Sequence, residues 1–188
     1  MAGLVTIGVY GWTLAEFLAA LRRASVRQLL DLRQRRGVRG SAYAWANSKR
    51  LQAALARAGI AYEHLPELAP TTELRHLQYG EDAREGVGKR SRERLAPEFV
   101  TRFTCERLDH VDLAPIVESM PSDGAVALLC VERDPEACHR SLVAERIAAD
   151  FDLALEHLTP GGLSTAYSPA DAAGAARGGR VDRARDTE

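Results

Sequence analysis

The most reactive side chains of the sequence cluster between Cys130 and Arg140, where the chain reads CVERDPEACHR. The residues after Cys138 have the spacing of a helix, so this cysteine is expected at a helix start. The field at a helix start favours an anion, and adjacent His139 and Arg140 lower the pKa of a thiol further. This pattern predicts a cysteine nucleophile at Cys138, with Glu132 or His139 moving protons.

The same residues allow three other interpretations. The free N–H groups of the helix start and Arg140 can bind an anion without any covalent chemistry. Cys130, Cys138 and His139 can supply three metal ligands, although structural zinc sites usually pair cysteines two to four residues apart. Cys138 can also be a buried apolar residue without a chemical role. We assign no metal and no cofactor from the sequence.

A basic segment follows the second apolar run of the chain. Between Arg33 and Arg50 there are six basic residues and no acidic one. Arginine matches phosphate or carboxylate groups with a planar fork of donors. We therefore expect Arg33, Arg36, Arg39, Arg140 and Cys130 to bind a small anionic substrate, phosphorylated or nucleotide-like, with Tyr43 at the rim. A nucleic-acid-binding module built on this loop is the alternative, since aromatic rings also stack on bases.

Two carboxylates follow apolar runs that are predicted as neighbouring strands. Asp31 lies two residues before Arg33, and Glu132 lies two residues after Cys130. They can act as general acid and base, or they can pair with Arg33 and Arg140 inside the fold. The sequence leaves both interpretations open.

The elements that must position these residues alternate between strands and helices. Apolar runs predict strands at residues 4–11, 26–33, 60–68, 124–132 and 153–159. Helices are expected after the Thr13-x-x-Glu16 capping box and at residues 48–58, 97–107, 113–119 and 139–150. Residues 69–96 are expected to form a helix and an exposed loop. The alternation predicts an α/β three-layer sandwich with a mostly parallel sheet of about four to five strands and helices on both faces. Ligands of such sheets bind at the carboxyl ends of the strands.

Length and composition bound the class of protein. The 188 residues suit one domain over residues 1–159, followed by a disordered tail rich in Gly, Ala and Pro over residues 160–188. The net charge of −1 gives no global argument for nucleic acid or membrane binding. No apolar run approaches the roughly 18 residues of a membrane span. Three cysteines without a disulfide pattern predict a cytoplasmic protein.

Four motifs together resemble the DUF488 family, a domain of unknown function. They are TIGVYGWTLAEFL, LLDLRQRRGVRG, AGIAYEHLPEL and LLCVERDPEACHRSLVAERI. The last is similar to the family's closing Cys-x-Glu-x5-Cys-His-Arg, carried here by Cys130, Glu132, Cys138, His139 and Arg140. The resemblance implies a globular α/β domain with a shared pocket and no known reaction. The first motif departs from the family's Thr-Ile-Gly-His-Ser, because Val9 stands in place of the histidine.

Overall fold

The described part of the chain forms one sheet covered by helices. The computed structural model describes residues 3–88, 90–162 and 165–167. The strands are β1 (Gly3–Ile7), β2 (Val26–Asp31), β3 (Ala61–His64), β4 (Ala125–Leu129), β5 (Leu155–Leu158) and β6 (Thr165–Tyr167). The helices are α1 (Leu14–Arg23), α2 (Ser48–Arg57), α3 (Thr72–Arg84), α4 (Pro97–Glu106), α5 (Ala114–Glu118) and α6 (His139–Phe151). Within these ranges, no helix is both long enough and apolar enough to cross a bilayer.

The sheet has the strand order β3-β2-β4-β1-β5-β6. The pairs β1–β4, β1–β5, β2–β3 and β2–β4 are all parallel, and β5–β6 is antiparallel. The carboxyl ends of β1 to β5 therefore meet at one edge of the sheet. The mostly parallel sheet predicted from the sequence is confirmed.

Two separate cores lie on the two faces of the sheet. Alternate strand residues point to opposite faces, so Leu4 belongs to one core and its neighbour Val5 to the other. The core that contains Leu4 packs against apolar residues of α3, α4 and α6. The core that contains Val5 packs against α1 and α2. Helices thus cover both faces, and the predicted three-layer sandwich is confirmed.

The capping box predicted at the start of α1 is present. The backbone N–H of Thr13 donates to Glu16 Oε2 at 2.9 Å, and the Glu16 N–H donates to Thr13 Oγ1 at 3.3 Å. Two backbone donors that lack helical partners are thereby satisfied. This contact begins α1 directly after the turn that follows β1.

The structure differs from the prediction between residues 60 and 96. The third strand ends at His64, and Pro66–Leu68 forms a 3-10 helix, because proline lacks the N–H that a sheet ladder requires. The segment after α3 was predicted as an exposed loop, which is wrong for Arg92. Its guanidinium is buried and donates to the buried carboxylate of Asp82 in α3.

The last strand also lies beyond the point where the sequence predicted the end of the ordered chain. Thr165–Tyr167 pairs with β5 inside the segment that was predicted to be a disordered tail. The prediction for residues 163–164 and 168–188 falls outside the described residues.

Candidate active site at the carboxyl ends of the strands

A cavity of about 800 Å³ opens at the carboxyl-terminal edge of the sheet. Its floor is formed by residues that follow β2 and β4 and by the start of α6. Its opposite wall comes from α3 and from Gly88, Arg90, Ser91, Arg92 and Leu95. The side chains that carry polar or reactive groups into this wall and floor are Tyr10, Arg33, Gln34, Arg35, Arg39, Arg75, Gln78, Tyr79, Arg90, Ser91, Arg92, Cys130, Glu132, Cys138 and His139. The expected position at the strand ends is therefore where the cavity lies.

Four side chains of the closing motif meet at the floor. Cys138 Sγ lies 3.2 Å from Glu132 Oε2, and Cys130 Sγ lies 3.4 Å from the same oxygen. His139 Nδ1 is 3.8 Å from Cys130 Sγ and 4.0 Å from Cys138 Sγ. Cys130 directly follows β4, and Cys138 is the residue before α6, so a short connection brings both thiols to one carboxylate.

The imidazole of His139 is held in one orientation. Its Nε2 lies 3.3 Å from the carbonyl oxygen of Leu32, and its ring packs edge-on against Phe103. Because a carbonyl oxygen only accepts hydrogen bonds, Nε2 carries a proton and Nδ1 faces the two thiols. His139 is thus placed to accept a proton from a thiol or to stabilise a thiolate.

The two cysteines have opposite pKa shifts. Burial alone would raise the pKa of Cys138, but the hydrogen bond from Cys130 and the charges of Arg140 and His139 lower it well below its usual value. The pKa of Cys130 is raised well above its usual value by its hydrogen bond to Cys138 and by burial. The pair therefore ionises at Cys138, while Cys130 stays protonated and donates to Glu132 Oε2.

Glu132 and His139 both have raised pKa values. Burial, followed by the charge of Cys138, raises the pKa of Glu132 to about 7. Burial works against charge on His139, but its hydrogen bond to Cys138 and the neighbouring negative charges raise its pKa. General acids and bases work best with pKa values near the operating pH, so Glu132 fits that role at neutral pH.

A close backbone contact holds Glu132 in place. A Cβ atom added at Gly8, just after β1, would lie 1.8 Å from the carbonyl oxygen of Glu132. Next to it, the N–H groups of Val9 and Tyr10 both donate to the Val131 carbonyl at 3.0 Å. Only glycine allows this approach, so Gly8 is a site residue that the sequence analysis missed. The signal available in the sequence was a glycine at the end of a predicted strand.

Asp31 and Arg33, predicted to act in catalysis and in anion binding, pair with each other inside the fold, which is the alternative that the sequence left open. Asp31 is fully buried and accepts from Arg33 Nε at 2.8 Å, from Arg33 Nη2 at 2.7 Å and from the Tyr62 hydroxyl at 2.7 Å. Arg33 Nη1 donates to the carbonyl of Ala46. The carboxylate has no opening to the cavity, and the guanidinium is neutralised, so the internal pairing is the correct interpretation.

Arg140, predicted to hold the substrate anion, lies inside the fold. Its side chain is completely buried and does not line the cavity. It donates to the carbonyl oxygens of Glu132 at 2.7 Å and Arg133 at 2.9 Å and to Thr6 Oγ1 at 3.4 Å. Arg140 therefore shapes the connection that carries Glu132, and it acts on the site through its charge.

The remaining predicted binding residues divide between the rim and its surroundings. Arg39 is exposed and lines the cavity. Tyr43 lies beside the cavity, where its hydroxyl accepts from the Gly11 N–H and its ring packs against Tyr10. Arg36 does not line the cavity and donates to the Tyr62 hydroxyl at 3.5 Å. Arg39 is thus the predicted residue of this basic loop whose side chain lines the cavity without an ion-pair partner among the residues that the structure describes.

Several arginines of the cavity escaped the sequence analysis. Arg75 and Arg90 come from the segment 69–96, whose polar pattern shows no strong periodicity. Arg90 lies over the rings of Tyr10 and Tyr43, with its Cζ atom 5.0 and 5.4 Å from the two ring centres. Arg92 reaches 3.9 Å from Glu132 Oε1. The mixed charges of this segment gave no signal that it folds back over the strand ends.

Three of the site residues could hold a metal ion. Ligand atoms of Cys130, Cys138 and His139 all lie within 4.8 Å of one another, and thiolate and imidazole are ligands that Zn²⁺ prefers. However, the buried charge of Arg140 acts on Cys138. Positive charge at this position opposes the binding of a metal cation and favours a thiolate. The electrostatics therefore support thiol chemistry more than metal binding.

Comparison with known proteins agrees with the motifs at this site. The family model described as domain of unknown function DUF488 matches residues 13–147, which include the carboxyl ends of β2, β3 and β4 and the thiol cluster. No curated protein and no solved structure matches the chain. Because the family model covers more than half of the 188 residues, this chain belongs to the DUF488 family.

Proposed function

We propose that this chain is a cytoplasmic enzyme that acts on a small anionic substrate, phosphorylated or nucleotide-like, with Cys138 as the nucleophile. One observation carries the proposal: the Cys138 thiol contacts Glu132 and His139 at the floor of a cavity with a basic rim. The described cysteines are all free thiols, which suits a reducing compartment.

An excess of positive charge supports an anionic substrate. Two of the cavity arginines, Arg33 and Arg92, are neutralised by buried aspartates. The other cavity arginines have no carboxylate within 4.0 Å among the residues that the structure describes, and they are Arg35, Arg39, Arg75 and Arg90. Such a concentration of one sign of charge in a concave site attracts anions, and guanidinium groups bind phosphate or carboxylate oxygens in pairs.

The aromatic side chains at the rim of the cavity favour a substrate that contains a planar group. Tyr10 and Tyr43 pack at 5.0 Å, and the flat guanidinium of Arg90 covers both rings. Arg90 is exposed, so a ligand ring can replace it on the tyrosines while the guanidinium turns to the anion. Aromatic faces stack on bases irrespective of their sequence, which favours a nucleotide-like substrate over a bare phosphate.

The site residues have distinct parts in the proposed reaction. The Cys138 thiolate attacks an electrophilic centre of the bound substrate, and the bond from that centre to the leaving group breaks. Glu132, whose pKa of about 7 leaves it partly protonated at neutral pH, gives its proton to the leaving group. His139 stabilises the thiolate before the attack, and the Cys130 thiol donates a hydrogen bond to Glu132 Oε2 beside it.

Thiol reactivity measured against pH tests the nucleophile. We expect the rate at which one cysteine reacts with iodoacetamide to rise with pH, with an inflection well below the usual thiol pKa of about 8.5. Cys138→Ser should abolish this phase, and Cys105→Ser, at an exposed position, should leave it in place. An unreactive Cys138 in a folded protein would rule out Cys138 as the nucleophile. Stoichiometric zinc in the same sample would instead establish the metal site.

Ligand binding tests the anion. We expect pyrophosphate and nucleoside phosphates to raise the melting temperature and to protect Cys138 from alkylation. Arg39→Ala should weaken binding by about tenfold, the loss of roughly one charge-assisted contact of about 1.5 kcal/mol. Arg57→Ala removes the same charge at an exposed position outside the cavity and should leave binding unchanged. Equal effects of the two variants would mean that charge acts only at long range.

The nucleic-acid alternative retains one supporting observation. Exposed basic side chains follow one another from the loop after β2 into α2, and they are Arg35, Arg39, Lys49 and Arg50. Contacts to a phosphate backbone release counterions, so such binding falls steeply with salt, whereas binding in the cavity responds weakly. Binding to an RNA or DNA oligomer that depends on Arg50 but not on Arg39 would favour this alternative over the enzyme.

A further inference from the structure

We propose that Cys130 is a resolving thiol for Cys138, so that a hydroperoxide converts the two cysteines into a reversible disulfide at the floor of the cavity. The inference goes beyond the proposed function, because it needs the Cys138 thiolate but no anionic substrate. It assigns a role to Cys130, which the proposed reaction uses only as a hydrogen-bond donor.

The geometry of the two thiols carries the inference. Both sulfurs contact the same carboxylate oxygen of Glu132, at 3.2 and 3.4 Å, and both lie within 4.8 Å of each other and of His139 Nδ1. A disulfide has an S–S length of about 2.05 Å, so the sulfurs need to approach by no more than about 2.8 Å. Rotation of either side chain moves a sulfur atom by such an amount.

The environment of the pair distinguishes it from an ordinary buried pair of cysteines. Both residues line a cavity that admits small molecules, although each is almost fully buried. Cys138 directly precedes α6 and contacts His139, which favours the attacking role, and Cys130 on the neighbouring strand end takes the resolving role. Cys105 lies on the exposed surface of α4 and lines neither cavity wall, so it provides an internal control.

The reaction balances in two steps. The Cys138 thiolate attacks the terminal oxygen of the hydroperoxide, an S–O bond forms, and the O–O bond breaks. The departing alkoxide or hydroxide takes a proton from Glu132 and leaves as alcohol or water. The Cys130 thiol then attacks the sulfenic sulfur, the S–S bond forms, and water leaves. The hydroperoxide gains two electrons, and the two thiols lose them.

The test uses the full chain in reduced form with graded additions of hydrogen peroxide. Remaining thiols are alkylated, and the intact mass and the peptide map are measured before and after reduction with dithiothreitol. We expect a loss of two hydrogen atoms, a Cys130–Cys138 linked peptide, alkylated Cys105, and full recovery on reduction. This measurement on the unaltered protein does not depend on the folding of any variant.

Variants sharpen the result. Cys130→Ala should stop Cys138 at the sulfenic acid or carry it on to sulfinic acid, which dithiothreitol does not reverse. Cys105→Ser should form the disulfide like the unaltered protein. Three alkylated thiols, a disulfide through Cys105, or sulfinic acid at Cys138 beside a reduced Cys130 would overturn the inference. Disulfide formation without any anion binding would reject the proposed substrate and keep this inference.

Discussion

Two neighbouring strands both end in polar or ionisable residues, but one end forms a closed buried ion pair and the other forms the floor of an open cavity. At the end of β2, Asp31 and Arg33 are buried together and form a closed set of hydrogen bonds that includes Tyr62 and Ala46. At the end of β4, Cys130 and Glu132 meet Cys138 at the floor of an open cavity. β2 and β4 pair directly in the sheet, so the two centres share one edge.

The difference teaches that residue type at a strand end does not by itself make a site. Every charged group of the β2 centre has a partner of opposite charge or a carbonyl, and its net effect is to stabilise the fold. The β4 centre holds thiols and a carboxylate whose pKa values are shifted by one another and by burial. Groups held in this way can exchange protons or electrons at small energetic cost, which the β2 pair cannot.

The largest expected effect comes from breaking the closed centre. Asp31→Asn leaves the buried guanidinium of Arg33 without a counter-charge, and we expect a loss of about 3–5 kcal/mol in the free energy of unfolding. Urea denaturation measures this. Asp123→Asn breaks an exposed ion pair with Arg27 and should cost less than about 1 kcal/mol. Similar losses in the two variants would show that the buried pair is no more important than a surface pair.

The raised pKa of Glu132, in the centre at the end of β4, should make the free energy of unfolding depend on pH. Glu132 has a pKa of about 7 in the folded protein and of about 4.3 when unfolded. Between these values the folded state holds a proton that the unfolded state has released, so this group favours folding at low pH. Its contribution falls as the pH rises and is fully lost above about pH 7, with a total change on the order of 3 kcal/mol.

Glu132→Gln removes this titration. Relative to the unaltered protein, the variant should therefore gain stability by roughly that amount between about pH 5 and about pH 8. Urea denaturation at the two pH values is the measurement. Glu118→Gln, at an exposed carboxylate, should keep the pH dependence of the unaltered protein. A constant difference between Glu132→Gln and the unaltered protein would contradict a raised pKa at Glu132.

Replacing Arg140 tests whether buried arginine contacts also stabilise the chain that follows β4. Arg140→Met keeps the side-chain length but leaves the carbonyls of Glu132 and Arg133 without their donor. We expect a loss of about 2–3 kcal/mol in the free energy of unfolding. Arg146→Met, on the same helix, breaks a half-exposed pair with Asp109 and should cost under about 1 kcal/mol. Weaker anion binding by Arg140→Met at full stability would restore Arg140 as a ligand-binding residue.

The smallest expected effect concerns the cysteine outside both centres. Cys105→Ser lies on the exposed side of α4, and its stability should stay within about 0.5 kcal/mol of the unaltered protein. The rapid phase of alkylation at Cys138 should also be unchanged. A large loss of stability would mean that Cys105 has contacts beyond those of an exposed side chain.

Much of the fold could be predicted because its signals are local. The capping box at Thr13 and Glu16 and the apolar runs of β1, β2 and β4 predicted element type and order. The cavity wall formed by α3 and residues 90–95 could not be predicted in this way. Its buried contact between Arg92 and Asp82 joins two polar residues whose pattern resembles that of a solvated surface. A buried ion pair has no periodicity that marks it in a sequence.

The sequence by itself determined that two thiols, a carboxylate and an imidazole lie between one predicted strand and one predicted helix start. The structure decided that Cys130, Glu132, Cys138 and His139 meet, because the connection between β4 and α6 folds back over the strand end. Tertiary structure alone decided which arginines stay available. Arg33 and Arg140 are satisfied by carboxylate or carbonyl oxygens, whereas Arg39 faces the cavity. The physical reason is that a guanidinium can bind a ligand only with donors that the rest of the fold has not already used.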